Sequence, residues 1–231
     1  MIAIIADMRK PSALLKGAIT HFKTNPKLFL GVVSVPLIIN LLMIILEPSQ
    51  NTGVVNMYEW VVYGALGLVL VVFDILMGVA LILAVANPTL TIRQAYGQAT
   101  GFFWRYLGFS IVLSLIILVG LLLFVIPAII FLVWFTFSIF VLVLENGRII
   151  ESLKRSREYV RGHWWAVFGR MLFVIVITLI ILAPLSMLGS GTSDQRDLFD
   201  GLVSLVTALI TPFTIIYMYL MYQDIKGTPT V

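Results

Sequence analysis

The 231-residue sequence contains no cysteine, which excludes disulfides, thiolate metal sites and cysteine nucleophiles. Its two histidines, His21 and His163, lie far apart, and neither stands in the HExxH spacing of a zinc hydrolase. No GxSxG or P-loop pattern occurs. Charge is also scarce: 11% of residues are Asp, Glu, Lys or Arg, against about 25% in an average soluble domain. What remains is apolar, at 61% of the chain. With so little polar side chain, a soluble exterior cannot be covered. A bilayer is the solvent that fits, and the length suits one compact unit.

A spanning helix takes about 20 mostly apolar residues. Six stretches qualify: 28–46, 60–86, 106–126, 128–144, 171–189 and 202–222. The third and fourth form one apolar run, too long for a single helix across a core of about 30 Å. A helical hairpin within residues 120–127, turning at Pro127, resolves this. Residues 1–6 are apolar but short, and no basic region precedes them. Five basic residues precede the first long run, which therefore reads as an uncleaved span. Pro36 and Pro212 mark kinks in the first and last spans.

The basic residues set the orientation. Arg9, Lys10, Lys16, Lys23 and Lys27 precede the first span; Arg93 and Arg105 fall between the second and third. Arg148, Lys154, Arg155, Arg157, Arg161 and Arg170 lie between the fourth and fifth, and Lys226 follows the sixth. Fourteen of the fifteen basic residues thus share one side, leaving Arg196 opposite among Glu47, Glu59, Asp194, Asp197 and Asp200. Both termini are then cytoplasmic and the protein sits in the cell membrane.

Residues 91–108 and 152–169 align at a fixed offset, pairing Arg93 with Lys154, Gly101 with Gly162, Phe103 with Trp164, Trp104 with Trp165 and Gly108 with Gly169. Each segment precedes a hairpin, as does the stretch 11–27, whose residues match poorly. The expected fold is an all-α polytopic membrane helical bundle, six transmembrane helices as three hairpins, each preceded by a cytoplasmic amphipathic helix. It forms a single membrane domain over 1–231. Within it lie an amphipathic segment at 1–27, hairpins at 28–86, 106–144 and 171–222, interfacial helices at 89–105 and 146–166, and a tail at 223–231.

The stretch 148–165 shows the amphipathic pattern best. Ile149, Leu153, Ser156, Val160 and Trp164 form one stripe, with Arg148, Glu151, Arg155 and Glu158 opposite. Glu151 and Arg155 are a favourable i,i+4 pair. Asn146-Gly147 supplies a turn before the helix and Gly162 its end; His163, Trp164 and Trp165 then suit headgroup depth. Thr91 to Gln94 reads as a capping box. One reading is that these helices rest on the cytoplasmic surface and set topology. Another is that Arg148, Lys154, Arg155, Arg157, Arg161, His163, Trp164 and Trp165 bind anionic lipid headgroups, each cation contributing about 1 kcal/mol. A protein partner could dock on the same face. Nucleic acid is excluded as a partner, since no recognition motif accompanies the charge.

Asp74 stands near the middle of the second span, at an insertion cost of about 2.5–3.5 kcal/mol. It shares a stripe with Gly64, Gly67, Val71 and Gly78, and small residues mark close helix approach. Asp74 is therefore expected to face the bundle and to hydrogen-bond Asn40 of the first span. Its functional reading is proton or cation handling; its structural reading is a protonated carboxyl that pins two helices. Transporters usually carry several intramembrane ionisable groups and interrupted helices, and this sequence displays one clear acid and no matching pair of breaks. Glu145 and Asp224, just past span ends, read as structural ion-pair partners.

Residues 120–165 carry a further pattern. An apolar run ends in Ile126-Pro127, and a span closes in Leu144-Glu145. Ser152-Leu153-Lys154-Arg155-Ser156 follows, then Gly162-His163-Trp164-Trp165; Tyr222-Gln223-Asp224-Ile225 ends the last span. Over about 91–225 this resembles the membrane domain of glycerophosphoryl diester phosphodiesterases and its multi-pass bacterial and archaeal relatives. The resemblance implies a six-span helical fold. In fused relatives the phosphodiesterase activity belongs to a separate soluble barrel, which needs roughly 250 residues of its own. No catalytic residue carries over, and Asp74 lies outside the shared pattern.

The functional expectation is a non-enzymatic membrane module, acting in envelope or lipid-related organisation through its basic face and using no cofactor or metal. The alternative is a small transporter or permease built around Asp74. An intramembrane lipid enzyme comes third, because no convergent acid, base and nucleophile can be named. A polar cavity reaching Asp74 would favour transport, and a solid apolar core would favour the module.

Overall fold

The computed structural model describes residues 9–46, 57–188 and 193–227, without the side chains of Ser186, Leu188 and 193–198. Glu47 and the side chains of Asp194, Arg196 and Asp197 therefore lie outside the described residues. Among those described there are ten helices and no strand. They are α1 (Pro11–Phe22), α2 (Pro26–Ile45), α3 (Met57–Ala86), α4 (Ile92–Thr100) and α5 (Phe103–Leu123). Then follow α6 (Val125–Phe135), α7 (Ser138–Leu144), α8 (Ile149–Val160), α9 (Trp164–Leu188) and α10 (Ser193–Lys226). Six spans are long and apolar enough to cross a membrane, α6 and α7 together making one of them.

Helix starts follow from local chemistry. Asn25 caps α2 by accepting from the Leu28 N–H at 3.1 Å, with Pro26 next, where a missing N–H costs nothing. Thr91 and Gln94 close the expected capping box on α4, at 3.3 and 2.9 Å. Gly162 ends α8 with φ +85°, a conformation that favours glycine. Helix α5 starts at Phe103 and α9 at Trp164, 61 residues apart as the repeat requires. The repeat extends to side chains. Phe103 and Trp104 meet edge-on at 5.2 Å and 80°, and Trp164 and Trp165 do so at 4.7 Å and 87°.

Two features of the second hairpin differ from expectation. Its turn lies at Phe124, which is fully extended, while Pro127 falls in the first turn of α6. Gly120 permits this short connection, because a Cβ there would stand 3.0 Å from the Ala128 Cα. The expected continuous fourth span is also interrupted between Phe135 and Ser138. Ser156 of α8 repairs the break: its hydroxyl donates to the Trp134 carbonyl at 2.7 Å and accepts from the Phe137 N–H at 3.1 Å. Broken backbone at membrane depth requires such a substitute partner. Pro36, Pro184 and Pro212, by contrast, sit inside unbroken helices.

Each short helix packs on the helix that closes the preceding hairpin: α4 on α3, α8 on α7 and, closing the cycle, α1 on α10. The long helices obey the same order, with α5 against α3, α9 against α6 and α2 against α10. The three units therefore form a ring in which each leans on the one before, and α3, α7 and α10 meet near its middle.

Burial is uneven along the bundle. In α2 it runs from Leu28 to Pro36, in α3 from Leu76 to Val85, and in α10 from Pro212 to Ile225. All three stretches lie toward the end that carries the short helices and the basic residues, here termed the basic end. Its largest fully buried side chains include Tyr217, Phe29, Phe137 and Phe140. Toward the far end, Leu68, Leu122, Ile126 and Ile180 are exposed, as lipid-facing residues would be.

Candidate functional site

At the basic end, α7 finishes just before Glu145, whose side chain is 11% exposed. Its Oε2 accepts from Arg155 Nη1 at 2.8 Å. Its Oε1 accepts from Lys226 Nζ at 2.8 Å, from Tyr159 Oη at 3.1 Å and from Tyr222 Oη. Burial alone would raise the carboxyl's pKa. The hydrogen bonds from Lys226, Tyr222, Arg155 and Tyr159 outweigh burial and pull it down to about 2. Arg155 also holds Glu151 at 2.7 Å, the expected i,i+4 pair. Nearby, Asp224 accepts from the Arg9 N–H at 3.0 Å and faces Arg170 Nη2 at 3.6 Å. That guanidinium, almost fully buried, donates in turn to the Arg9 carbonyl at 2.7 Å. These two clusters tie α10 to α7 and α8, to α9 and to the residues before α1, locking the ring at this end.

The second polar site lies midway along the bundle. A cavity of about 210 Å³ opens between α2, α3 and α10, lined by Pro36, Asn40, Asp74, Ser204, Thr207 and Thr211 among apolar neighbours. Asn40 and Asp74 thus share a site, but the expected hydrogen bond between them is not formed. Asn40 Oδ1 accepts instead from Ser204 Oγ at 2.8 Å. Asp74 has no hydrogen-bond or ion-pair partner among the described residues, so it does not pin two helices. The glycine stripe is only partly a packing face: a Cβ on Gly67 or Gly78 would meet Met43 or Tyr106 at 3.7 and 3.6 Å, whereas nothing lies within 4 Å of one on Gly64, Val71 is 54% exposed, and Asp74 itself is exposed. Ser204 was missed because nothing in its local sequence sets it apart from other span hydroxyls.

The expected basic surface is narrower than its eight residues. Arg148, Lys154 and Arg161 are exposed and make no ion pair among the described residues. Arg155 is committed to Glu145, and the Arg157 guanidinium lies 4.5 Å over the Trp134 ring. Trp164 is half-buried and stacked on Phe168, whereas Trp165 is 74% exposed. His163 does not belong to the surface, being 5% exposed, with neither ring nitrogen hydrogen-bonded to a described group. Arg161 and Trp165 are exposed, whereas His163 between them turns inward. The apolar stripe of α8 is spent within the protein: Ser152, Leu153, Ser156 and Val160 are buried, and the helix packs on α6 and α7.

Residues 28–225 match a family model described as a domain of unknown function, DUF7847. The chain belongs to the DUF7847 family. The match begins within α2 and ends within α10, so it takes in all six spans, and α1 precedes it. The DUF7847 chain is also 26% identical over 184 residues to UPF0259 membrane protein PC1_1998 of Pectobacterium carotovorum subsp. carotovorum (strain PC1), covering 79% of this chain and 71% of that protein. No solved structure matches the DUF7847 chain. The comparisons therefore place it in a multi-pass membrane family and extend no further than that. The likeness to the glycerophosphoryl diester phosphodiesterase membrane domain is not among the matches.

Proposed function

We propose that this protein is a non-enzymatic, lipid-associated module of the cell membrane that receives the polar part of an amphiphilic molecule in the Asp74 cavity. In this reading the basic end and both termini are cytoplasmic. One observation carries it: a cavity holding a carboxyl, an amide and hydroxyls lies halfway along the bundle, where packed core gives way to exposed apolar helix. Ligand sites of this kind are mostly apolar, with a few convergent polar groups. An amphiphile would set its head among Asp74, Asn40, Ser204 and Thr207 and its chain along the apolar lining of Leu37, Leu70 and Val203. Arg148, Lys154 and Arg161, with the exposed indoles of Trp104 and Trp165, suit contact with anionic headgroups on the cytoplasmic leaflet. The motif likeness of residues 120–165 to the phosphodiesterase membrane domain supports a distant kinship and the same lipid-related setting.

Native mass spectrometry of gently extracted protein tests this reading. The wild type is expected to retain lipid adducts that Thr207→Phe, which fills the cavity, loses. Equal adducts on both proteins would refute the cavity as the binding place. A second reading, a small permease, is favoured by the contrast between a locked basic end and a polar cavity midway along the bundle. Its support would be Asp74-dependent flux in proteoliposomes.

A further inference from the structure

The five polar side chains that line the cavity are not equivalent. Asn40 Oδ1 is occupied by the Ser204 hydroxyl at 2.8 Å. Thr211 spends its hydroxyl on the Thr207 carbonyl at 2.8 Å. Asp74 alone brings an acidic group, and among the described residues it has neither a cation nor a donor to satisfy it. The two acids at the basic end stand in contrast: Glu145 meets Arg155 and Lys226, and Asp224 meets Arg9 and Arg170. An ionised carboxyl at membrane depth is costly unless paired, and the residues lining the cavity include no Lys, Arg or His. A complementary charge for the ionised form would have to come from outside the chain. The space suits a compact head, and the apolar side chains of the same lining, Leu37, Leu70 and Val203, suit the start of an acyl chain.

We propose that the cavity selects amphiphiles bearing an ammonium group, with Asp74 receiving the cation and the apolar lining receiving the start of the chain. This rests on the reading of the cavity as an amphiphile site and adds the sign of the head. A free hydroxyl or amide on the same ligand would find Ser204 and the Asn40 amide within the same lining. The selectivity resides in one side chain, so it separates cleanly from binding itself.

The test uses full-length protein in neutral maltoside micelles, titrated with three probes of equal chain length: dodecylammonium chloride, dodecanol and dodecyl sulfate. Retention is read by native mass spectrometry for the wild type, Asp74→Asn and Thr207→Phe. The expected result is retention of dodecylammonium over dodecanol by about tenfold, which corresponds to about 1.4 kcal/mol, with dodecyl sulfate weakest. Asp74→Asn, which keeps the side-chain shape, should bring dodecylammonium down to the dodecanol level and leave dodecanol unchanged. Thr207→Phe should lower both. Equal retention of dodecylammonium and dodecanol by the wild type, with both lowered by Thr207→Phe, would overturn the charge preference while leaving the amphiphile site standing. Displacement of dodecylammonium by an equal concentration of sodium chloride would indicate a bare cation site and would also overturn it. Retention of none of the probes would remove the amphiphile site and the preference together.

Discussion

The two ends of the bundle are built from similarly apolar helices and differ in almost everything else. At the basic end, short helices fill the gaps between hairpins, aromatic rings stack across the middle of the ring, and two carboxylates are held by cations from several helices. Beyond Asp74, the long helices carry exposed Leu, Val and Ile on α3, α5 and α9 and enclose little core. Hydrophobicity alone does not make a packed interior in lipid, because an apolar side chain is as well solvated by acyl chains as by another helix. What concentrates the packing is the set of elements described at the basic end: amphipathic helices, aromatic rings stacked between helices and ion pairs that join helices. The far half is thereby left open to lipid or ligand.

Substitutions can break this contrast, and the expected effects fall from one end to the other. Phe140→Ala, at a fully packed position against Tyr219 and Tyr222, should cost about 3 kcal/mol, read as thermal unfolding in detergent. Glu145→Gln should cost about 2 kcal/mol, since it weakens charged hydrogen bonds from four side chains. This effect should depend on pH in a defined direction. The folded carboxyl lies near 2, below its ordinary value of 4.5. Its stabilisation is therefore complete above 4.5 and is lost as pH falls toward 2. The gap in melting temperature between wild type and Glu145→Gln should accordingly close over that window; a gap independent of pH would count against the network. Ser156→Ala should cost about 1–2 kcal/mol by stranding the Phe137 N–H and the Trp134 carbonyl, and should speed hydrogen exchange at Phe137. Leu122→Ala, at a far-end residue 78% exposed, should stay within about 0.5 kcal/mol. A large loss there would show that the far half is packed after all.

The fold was legible because a bilayer leaves few options. Long apolar runs must become helices, and the repeated Gly-x-Phe/Trp-Trp pattern marks the same entry into a span twice, at Phe103 and Trp164. Thr91 and Gln94 declare their helix start within four residues. The features that escaped are those decided by partners distant in the chain. The break at Thr136–Phe137 is stable only because Ser156 arrives from the next unit, and no Gly or Pro marks it. Asn40 finds Ser204 across 164 residues, not the acid on the adjacent helix. The stripe of Gly64, Gly67 and Gly78 has the spacing of a packing face, yet only Gly67 and Gly78 have a neighbour within 4 Å, a side chain in each case, and Gly64 meets open space. Spacing shows which residues share a face but not what that face meets. His163 stands between two exposed residues, Arg161 and Trp165, yet its own side chain is buried, which its place in the chain does not reveal.

The cyclic order of packing has a bearing on biogenesis. The ribosome delivers α1 first, yet the helix it rests on is made last, and Arg9 waits for Asp224 across 215 residues. Until α10 is translated, α2 lacks one of the two long helices it packs against, and the nascent chain holds an incomplete circle with a raw edge at α1 and α2. Closure is then a single late event joining the first and last of the described helices. A chain truncated before α10 would lose its final hairpin and, with it, the anchoring of its beginning.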